Sequence, residues 1–213
     1  MPRHSLKPCL VLPLIVLIFW IAPVTAQQPA GGGANNTLSA SESAAGWMLL
    51  FDGRTLSGWT PTGASDWKVE DGTITATTGA GFLAAPGTFG NFEFKTDFWP
   101  DKTVNSGVFF RCGAATPGAP GCYEANIFDA HDAWPTGSVN NVQSTNPNRL
   151  NTTERWNTLE LTAEGSHLII KINGKTTVDA RDEKLTSGAI RLQEGGANGF
   201  GLVRFRNIQV RPL

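Results

Sequence analysis

A set of charged and amide side chains shares one face of several strand-like runs. In "NFEFKTDFW", "SGVFFRC", "YEANIFD" and "GAIRLQ", apolar and polar residues alternate, so successive side chains point to opposite faces of a sheet. The polar members are Glu93, Lys95, Asp97, Arg111, Glu124, Asn126, Arg191 and Gln193. If their strands are neighbours, they form one polar surface beside aromatic residues, a mixture typical of sugar sites. The alternative is an ordinary solvated sheet face with cross-strand ion pairs.

The loop after "YEANIFD" carries a second group of chemically active side chains. Asp129, His131 and Asp132 lie close together in the sequence, and Trp134 follows them. Carboxylate and imidazole groups bind divalent metals, but no fixed metal-binding spacing is met here, and such groups also occur in surface loops. Trp134 is the better candidate among the tryptophans for stacking on a sugar ring.

The elements that must position these residues are short strands. The 24 Gly and 13 Pro residues are too many for a helical bundle and punctuate a chain of short elements. The segment "WNTLELTAEGSHLIIKINGKTTVDA" contains two strands and then an Asn173-Gly174 hairpin turn into a third. About ten such runs, nearly all plausible antiparallel neighbours, predict an all-β sandwich of two antiparallel sheets.

The chain is predicted to be exported. Residues 1–26 have a basic start, an apolar run and a small-residue cleavage site, which is the pattern of a secretory signal peptide. A retained membrane anchor is the alternative, but Pro13 interrupts the apolar run and leaves it too short to span a bilayer. Residues 27–45 lack aromatic side chains and are predicted to be a flexible leader, so the folded domain covers 46–213.

Charge excludes one class of partner. Removal of the two basic residues of the signal peptide takes the formal net charge from −1 to −3. A nucleic-acid binder carries a basic face, which this sparse and nearly balanced charge does not supply. We therefore expect no nucleic-acid partner and, after signal cleavage, no stable membrane anchor.

Two cysteines remain in the exported chain. Cys112 and Cys122 flank the stretch "GAATPGAPG", and an even pair in an oxidising compartment predicts a disulfide that closes this loop. Two free buried thiols are the alternative.

Eight strings, in order and with sensible spacing, resemble a known family over about residues 46–213. They are "WMLLFDGRTLSGWT", "DWKVEDGTI", "GNFEFKTDFW", "NSGVFFR", "YEANIFD", "RWNTLELTAEGSHLIIKINGK", "GAIRLQEGG" and "VRFRNIQVRPL". The family is the 3-keto-disaccharide hydrolase domain, formerly a domain of unknown function. The resemblance implies a concanavalin A-like jelly roll that bacteria export to the periplasm or beyond. It also implies hydrolysis or elimination of glycosides that are oxidised at C3 of the sugar.

The chain departs from the family pattern at two positions. Asn126 stands where the family usually has Gln, and Gly195 follows Glu194 where the family often has Asp-His-Gly. The resemblance implies a polar cleft on one sheet, and at the second position the family carries a His near that cleft, which this chain lacks. His131 is the plausible replacement for that His.

The resemblance also implies roles for the residues above. A ketone at C3 makes the C2 proton acidic, so a single base can abstract it while a cation stabilises the enolate. Glu124 or His131 would be the base and Arg111 the cation, with a divalent metal (Ca²⁺, Mn²⁺ or Mg²⁺) held by Glu124, Asp129 and His131. The expected substrate-binding residues are Asn126, Gln193, Arg191, Trp134, Lys95 and Glu93. The alternative function, motivated by the missing His, is a non-catalytic carbohydrate-binding domain.

Overall fold

The structure is a computed structural model that describes Met1 and residues 34–113, 121–196 and 199–213. The predicted cleavage site and apolar run of the signal peptide lie outside the described residues, as do leader residues 27–33. The described part contains one short helix, α1 (Ala40–Ala44), and the strands β1 (Met48–Leu49), β2 (Thr60–Gly63), β3 (Lys68–Glu70), β4 (Thr73–Ala76), β5 (Gly81–Ala84), β6 (Phe92–Pro100), β7 (Ser106–Cys112), β8 (Tyr123–Ile127), β9 (Asn157–Glu164), β10 (His167–Ile172), β11 (Lys175–Arg181), β12 (Ala189–Glu194) and β13 (Val203–Pro212). No helix among these residues is long and apolar enough to cross a membrane.

The strands form two antiparallel sheets. The larger sheet has the order β11-β10-β9-β6-β13-β4-β3, with β1 also paired to β13. The smaller sheet has the order β2-β5-β12-β7-β8. Strands that are neighbours in a sheet are often distant in sequence, which is typical of a jelly roll. The predicted jelly-roll sandwich is therefore confirmed.

The core lies between the sheets and follows the alternation in the sequence. Phe92, Phe94 and Phe98 of β6 are buried, and so are Ile190 and Leu192 on β12 of the opposite sheet. Burial of a side chain of this size contributes roughly 1.5–3 kcal/mol, so these strands have one strongly preferred inward face. The residues that alternate with them in sequence point to the outer faces of the sheets, where they can contact a ligand.

A β-bulge interrupts the alternation in β7. Ala189 pairs with Cys112 whereas Arg191 pairs with Phe109, so Phe110 and Arg111 together lie opposite the single residue Ile190. Arg111 has a φ of 50°, in the left-handed region that non-glycine residues seldom adopt. A bulge of this kind changes the direction in which a side chain points. Arg111 is turned into the interior and is 0% exposed.

The segment before the predicted domain start contacts the larger sheet. The backbone amides of Asn36 and Asn207 each donate to the other residue's Oδ1, at 2.6 and 2.9 Å. Helix α1 has a complete capping box, in which Ser39 and Glu42 bond each other's backbone amide. The sequence predicts a flexible leader over residues 27–45, and in the structure residues 34–45 contain α1 and the hydrogen bonds of Asn36.

Candidate functional site

Two cross-strand rows build the outer face of the smaller sheet. Because directly paired residues of antiparallel strands share a face, strand register alone defines both rows. One row is Ala84, Arg191, Phe109 and Glu124, and the other is Phe82, Gln193, Gly107 and Asn126. We call these eight residues the small-sheet face. It brings four of the predicted site residues together: Glu124, Asn126, Arg191 and Gln193.

Glu124 is the residue on this face whose environment is most unusual. Burial raises the pKa of its carboxyl from 4.5 to about 7, against the opposing effect of a hydrogen bond from Asn140. Asn140 Nδ2 donates to Glu124 Oε2 over 2.5 Å. A carboxyl whose pKa lies near neutrality can accept a proton at that pH and then return it, which is what a general base requires.

The other oxygen of the same carboxyl lies close to the backbone of Gly107. A Cβ atom built on Gly107 would lie 3.0 Å from Glu124 Oε1 and 3.2 Å from the carbonyl oxygen of Ala125. Gly107 has no positive φ, so its backbone does not require glycine. The absence of a side chain at Gly107 instead lets the Glu124 carboxyl lie against β7.

Three amide oxygens near this carboxyl are buried without a hydrogen-bond partner in the described structure: Asn126 Oδ1, Asn140 Oδ1 and Gln193 Oε1. Buried polar atoms are normally satisfied, so a group of unpaired acceptors needs an explanation. Hydroxyl groups of a bound sugar would supply the missing donors.

The free edge of β8 is covered by the segment 136–140. Asn126 exchanges backbone hydrogen bonds with this segment, donating to Ser138 and accepting from Gly137. The backbone amide of Asn140 donates to the carbonyl of Glu124 over 3.1 Å. The Asn126 side chain donates to the carbonyl of Trp134. These bonds fix the main chain on both sides of the Glu124 carboxyl.

Aromatic side chains complete the small-sheet face. Phe82 and Phe109 meet edge to face, with ring centroids 4.9 Å apart and planes at 77°. Both are partly exposed. The apolar faces of aromatic rings pack against the C–H groups of sugars. Trp134 is half-buried and its carbonyl contacts Asn126, which places its backbone at the border of this face.

Arg111 does not belong to the small-sheet face, and its predicted placement there is corrected. Its guanidinium donates to the carbonyls of Gly90, Gly165 and Leu185 at 3.0, 2.7 and 3.0 Å. Burial lowers the pKa of this side chain. Arg111 therefore joins loops from both sheets at one end of the sandwich. Arg191 is the arginine that lies on the small-sheet face, and its guanidinium donates a hydrogen bond to the carbonyl of Gly113.

Three further residues of the predicted polar surface lie on the larger sheet and not on the small-sheet face. Glu93, Lys95 and Asp97 are in β6, which belongs to the larger sheet, whereas Glu124 is in β8 of the smaller sheet. The prediction that all eight polar residues share one surface is wrong. Alternation gives the inward or outward direction of a side chain but not the sheet to which its strand belongs.

The structure does not bring the predicted metal ligands together. Asp129 accepts from the amide and hydroxyl of Thr152, at 2.6 and 2.7 Å. His131 Nδ1 accepts from the amides of Ala133 and Trp134. Both side chains thus fix local backbone, and within residues 34–113, 121–196 and 199–213 no three His, Cys, Asp or Glu side chains form a metal-binding group. These residues do not fit a metal.

The disulfide predicted from the sequence is present between Cys112 and Cys122. It joins the end of β7 to the residue before β8. The two strands that carry Gly107 and Glu124 are therefore covalently connected at one end, although the loop residues 114–120 lie outside the described structure.

Sequence reasoning missed Asn140 and the spatial role of Gly107. Asn140 lies in "GSVNNVQ", an irregular segment without periodicity, so no pattern marked it. Gly107 is in a strand interior, and an isolated Gly there can indicate the close approach of another group. That signal was present in "SGVFF".

The two packed sheets define a jelly-roll domain, with the small-sheet face as its candidate site. Residues 46–211 match the family described as 3-keto-alpha-glucoside-1,2-lyase-like domain, and the chain belongs to that family. A 3-keto-disaccharide hydrolase of Bacteroides thetaiotaomicron is 32% identical over 94 residues, which are 38% of this chain. The match covers 32% of that relative, less than a third of its length.

Solved structures share the fold. A putative glycosyl hydrolase from Parabacteroides distasonis has a TM-score of 0.73 at 20% identity, over 84% of this chain and all of that one. The carbohydrate binding module CBM66 from Bacillus subtilis has a TM-score of 0.54 at 18% identity, over 72% and 95%. A β-glucanase of Bacillus licheniformis has a TM-score of 0.51 at 15% identity, over 73% and 92%. At these identities the likeness concerns architecture alone.

Proposed function

We propose that this domain cleaves glycosides oxidised at C3, with Glu124 as the base that removes the C2 proton. The observation that carries the proposal is the environment of Glu124, whose pKa of about 7 leaves it partly ionised at neutral pH. Family membership supports the substrate class, and the name of the Bacteroides relative supports the reaction.

The reaction needs one base and one source of positive charge. Glu124 Oε1 takes the C2 proton, the C2–H electrons form the enolate of the C3 ketone, and the enolate then expels the C1 oxygen substituent to leave a C1=C2 double bond. The departing oxygen recovers a proton, which Glu124 carries at that point. Water can then add across the double bond, its hydroxyl to C1 and its proton to C2, so that the net result is hydrolysis without the usual carboxylate pair.

Arg191 is the proposed enolate-stabilising group, in place of Arg111. It shares a cross-strand row with Glu124, separated by Phe109. Its side chain is partly exposed and always charged, so it can approach a developing oxyanion without leaving the sheet face. The Gln193 amide group lies beside Gly107 in the next row and would bind a sugar hydroxyl.

The reaction class is tested with matched substrates. Purified protein is incubated with a chromogenic 3-keto-glucoside and with the corresponding unoxidised glucoside, and aglycone release is followed. Release from the keto compound alone supports the proposal, because only a ketone acidifies C2. Release from neither compound, or equal release from both, contradicts it.

A non-catalytic sugar-binding role is the second candidate. It is favoured by Gly195 where the family often has His and by the unpaired amide oxygens, which would serve binding without turnover. Glycan binding by the Glu124→Gln variant, together with absence of turnover by the unaltered protein, would support this role.

We also propose that residues 1–26 direct export. The basic start, the apolar run and the small residues before position 27 support this proposal. Expression of the full chain in a bacterial host, followed by N-terminal sequencing of the periplasmic and medium fractions, tests it. A mature protein that begins near residue 27 is expected, and an uncleaved cytoplasmic protein would contradict the proposal.

A further inference from the structure

The larger sheet carries a groove on its outer face, on the opposite side of the sandwich from Glu124. Trp47 forms one wall, and side chains of β6, β9 and β10 form the floor and rim: Glu93, Lys95, Glu160, Thr162, Ile169 and Lys171. The groove is open to solvent and has a cavity volume of ≈ 90 Å³. Sites that enclose a ligand commonly have volumes of about 300–1,000 Å³, so a saccharide would lie across this groove rather than within it.

Trp47 is held in position by the end of helix α1. Gly46 has a φ of 85°, and its amide donates to the carbonyl of Ser43. The amide of Trp47 donates to the carbonyl of Glu42 over 3.0 Å. These two bonds form a Schellman motif, which fixes the backbone direction at the residue after the helix-ending glycine. The indole is therefore oriented before any ligand arrives.

Two cations lie against the indole ring of Trp47. Lys95 Nζ lies 4.5 Å from the ring centroid of Trp47, and the Arg211 guanidinium lies 5.5 Å away. Each cation has its own carboxylate, since Lys95 is paired with Glu42 and Arg211 with Glu93. The Lys95 ion pair helps to lower the pKa of Glu42 to about 2, so the pair remains charged over the ordinary pH range. A rigid aromatic wall of this kind loses little entropy on binding.

The floor and rim are polar but carry no net charge. One cross-strand row is Glu93, Thr162 and Ile169, and the adjacent row is Lys95, Glu160 and Lys171. The four charged groups are two acids and two bases. Glu160 and Lys171 are exposed and make no ion pair within 4.0 Å in the described part of the chain, so they are available to bond other groups.

We propose that this groove is a second saccharide-binding site, which holds a neutral oligosaccharide against Trp47. A neutral polyhydroxylated ligand matches the balanced charge, the free carboxylate and ammonium groups match its hydroxyls, and the indole matches its C–H face. The groove lies on the other sheet from Glu124, so a saccharide can bind there without being cleaved. This inference goes beyond the proposed function, because a saccharide bound in the groove would anchor the domain on a glycan that the small-sheet face does not hold.

Affinity electrophoresis in native gels tests the proposal. The gels contain laminarin, dextran, soluble starch or hydroxyethyl cellulose, and the protein carries Glu124→Gln and Gln193→Ala to weaken binding at the small-sheet face. We expect at least one polysaccharide to slow this variant as much as the unaltered protein. Addition of Trp47→Ala should weaken that binding roughly three- to tenfold, the effect of one aromatic packing contact.

A second variant shows whether any loss of binding in Trp47→Ala comes from the groove or from unfolding. Thr162→Trp fills the floor of the groove without altering Trp47 or α1, and a thermal unfolding curve shows whether each variant is folded. Loss of retardation in Thr162→Trp supports the groove even where Trp47→Ala unfolds. The proposal is overturned if neither variant changes the retardation, if no polysaccharide retards the protein, or if Glu124→Gln with Gln193→Ala abolishes it. None of these outcomes depends on the turnover assay, so failure here is distinct from failure of the proposed function.

Discussion

Asn140 holds Glu124 through both its side chain and its backbone. Asn140 Nδ2 donates to Glu124 Oε2 over 2.5 Å, and the Asn140 amide donates to the Glu124 carbonyl over 3.1 Å. The side-chain bond favours the ionised carboxylate and burial disfavours it. The pKa of Glu124 is the balance of these two effects, and Oε1 lies against the backbone of Gly107.

Replacement of Asn140 by Ala should raise the pKa of Glu124 further. A hydrogen bond to the carboxylate contributes about 1–2 kcal/mol, so the pKa that controls kcat/KM should rise by about one unit. The pH dependence of kcat/KM on a 3-keto-glucoside measures this shift. Asn151→Ala, at an exposed position, is the control. A uniform fall in kcat/KM with no shift along the pH axis would show that Asn140 does not set the ionisation of Glu124.

Replacement of Glu124 by Gln should stabilise the fold above neutral pH. The folded-state pKa of about 7 exceeds the ordinary value of 4.5, so the unfolded chain binds fewer protons between these values and the protein loses stability as pH rises through them. Gln cannot ionise. The free energy of unfolding of the variant should exceed that of the unaltered protein by roughly 1–3 kcal/mol at pH 8, and the difference should shrink towards pH 4.5. Urea unfolding at several pH values measures it, and a pH-independent difference would contradict the assignment.

Addition of a methyl group at Gly107 should obstruct the site while leaving the fold intact. The new Cβ would lie 3.0 Å from Glu124 Oε1, tighter than ordinary packing. We expect Gly107→Ala to lower kcat/KM about tenfold, since a small displacement of a catalytic group has a large effect on rate. Gly113→Ala is a matched control, because a Cβ there meets nothing within 4 Å. Equal kcat/KM values for the two variants would contradict a role for the close approach of Glu124 to Gly107.

Replacement of Arg111 should lower stability, whereas replacement of Arg191 should lower activity. Arg111→Met leaves three backbone carbonyls without their donor and should lower the free energy of unfolding by about 3 kcal/mol, at about 1 kcal/mol for each bond. Arg191→Met should change the free energy of unfolding little, because the side chain is partly exposed, but should lower kcat. Urea unfolding and steady-state kinetics on both variants check this. The opposite pattern would restore Arg111 as the enolate-stabilising group.

The sequence was sufficient for the fold and for part of the site. Alternation placed Phe92 and Phe94 inward, and the even cysteine pair gave the disulfide. It also put Glu124, Asn126 and Gln193 on outward positions of strands that the structure places in one sheet. Inward or outward direction is a local property, which is why a single strand reveals it.

The remaining features depend on relationships that a single strand does not contain. Glu93 and Lys95 have the same outward direction as Glu124, but only strand pairing assigns them to the other sheet. Arg111 follows the alternation in the sequence and departs from it in the structure, because a bulge is visible only against the partner strand. Asn140 reaches Glu124 from an irregular segment, where neither periodicity nor spacing predicts a contact.

The fate of hydrogen at C2 tests the central claim most directly. A 3-keto-glucoside is cleaved in D₂O, and the released sugar is examined by NMR alongside an incubation without protein that measures spontaneous exchange. The account predicts that the product carries deuterium at C2 beyond the spontaneous level. It also predicts that Glu124→Gln lowers release roughly 100- to 10,000-fold, the usual contribution of a general base, whereas the exposed-site control Glu183→Gln does not. Rapid cleavage with the original hydrogen retained at C2, or full activity of Glu124→Gln, would contradict the account.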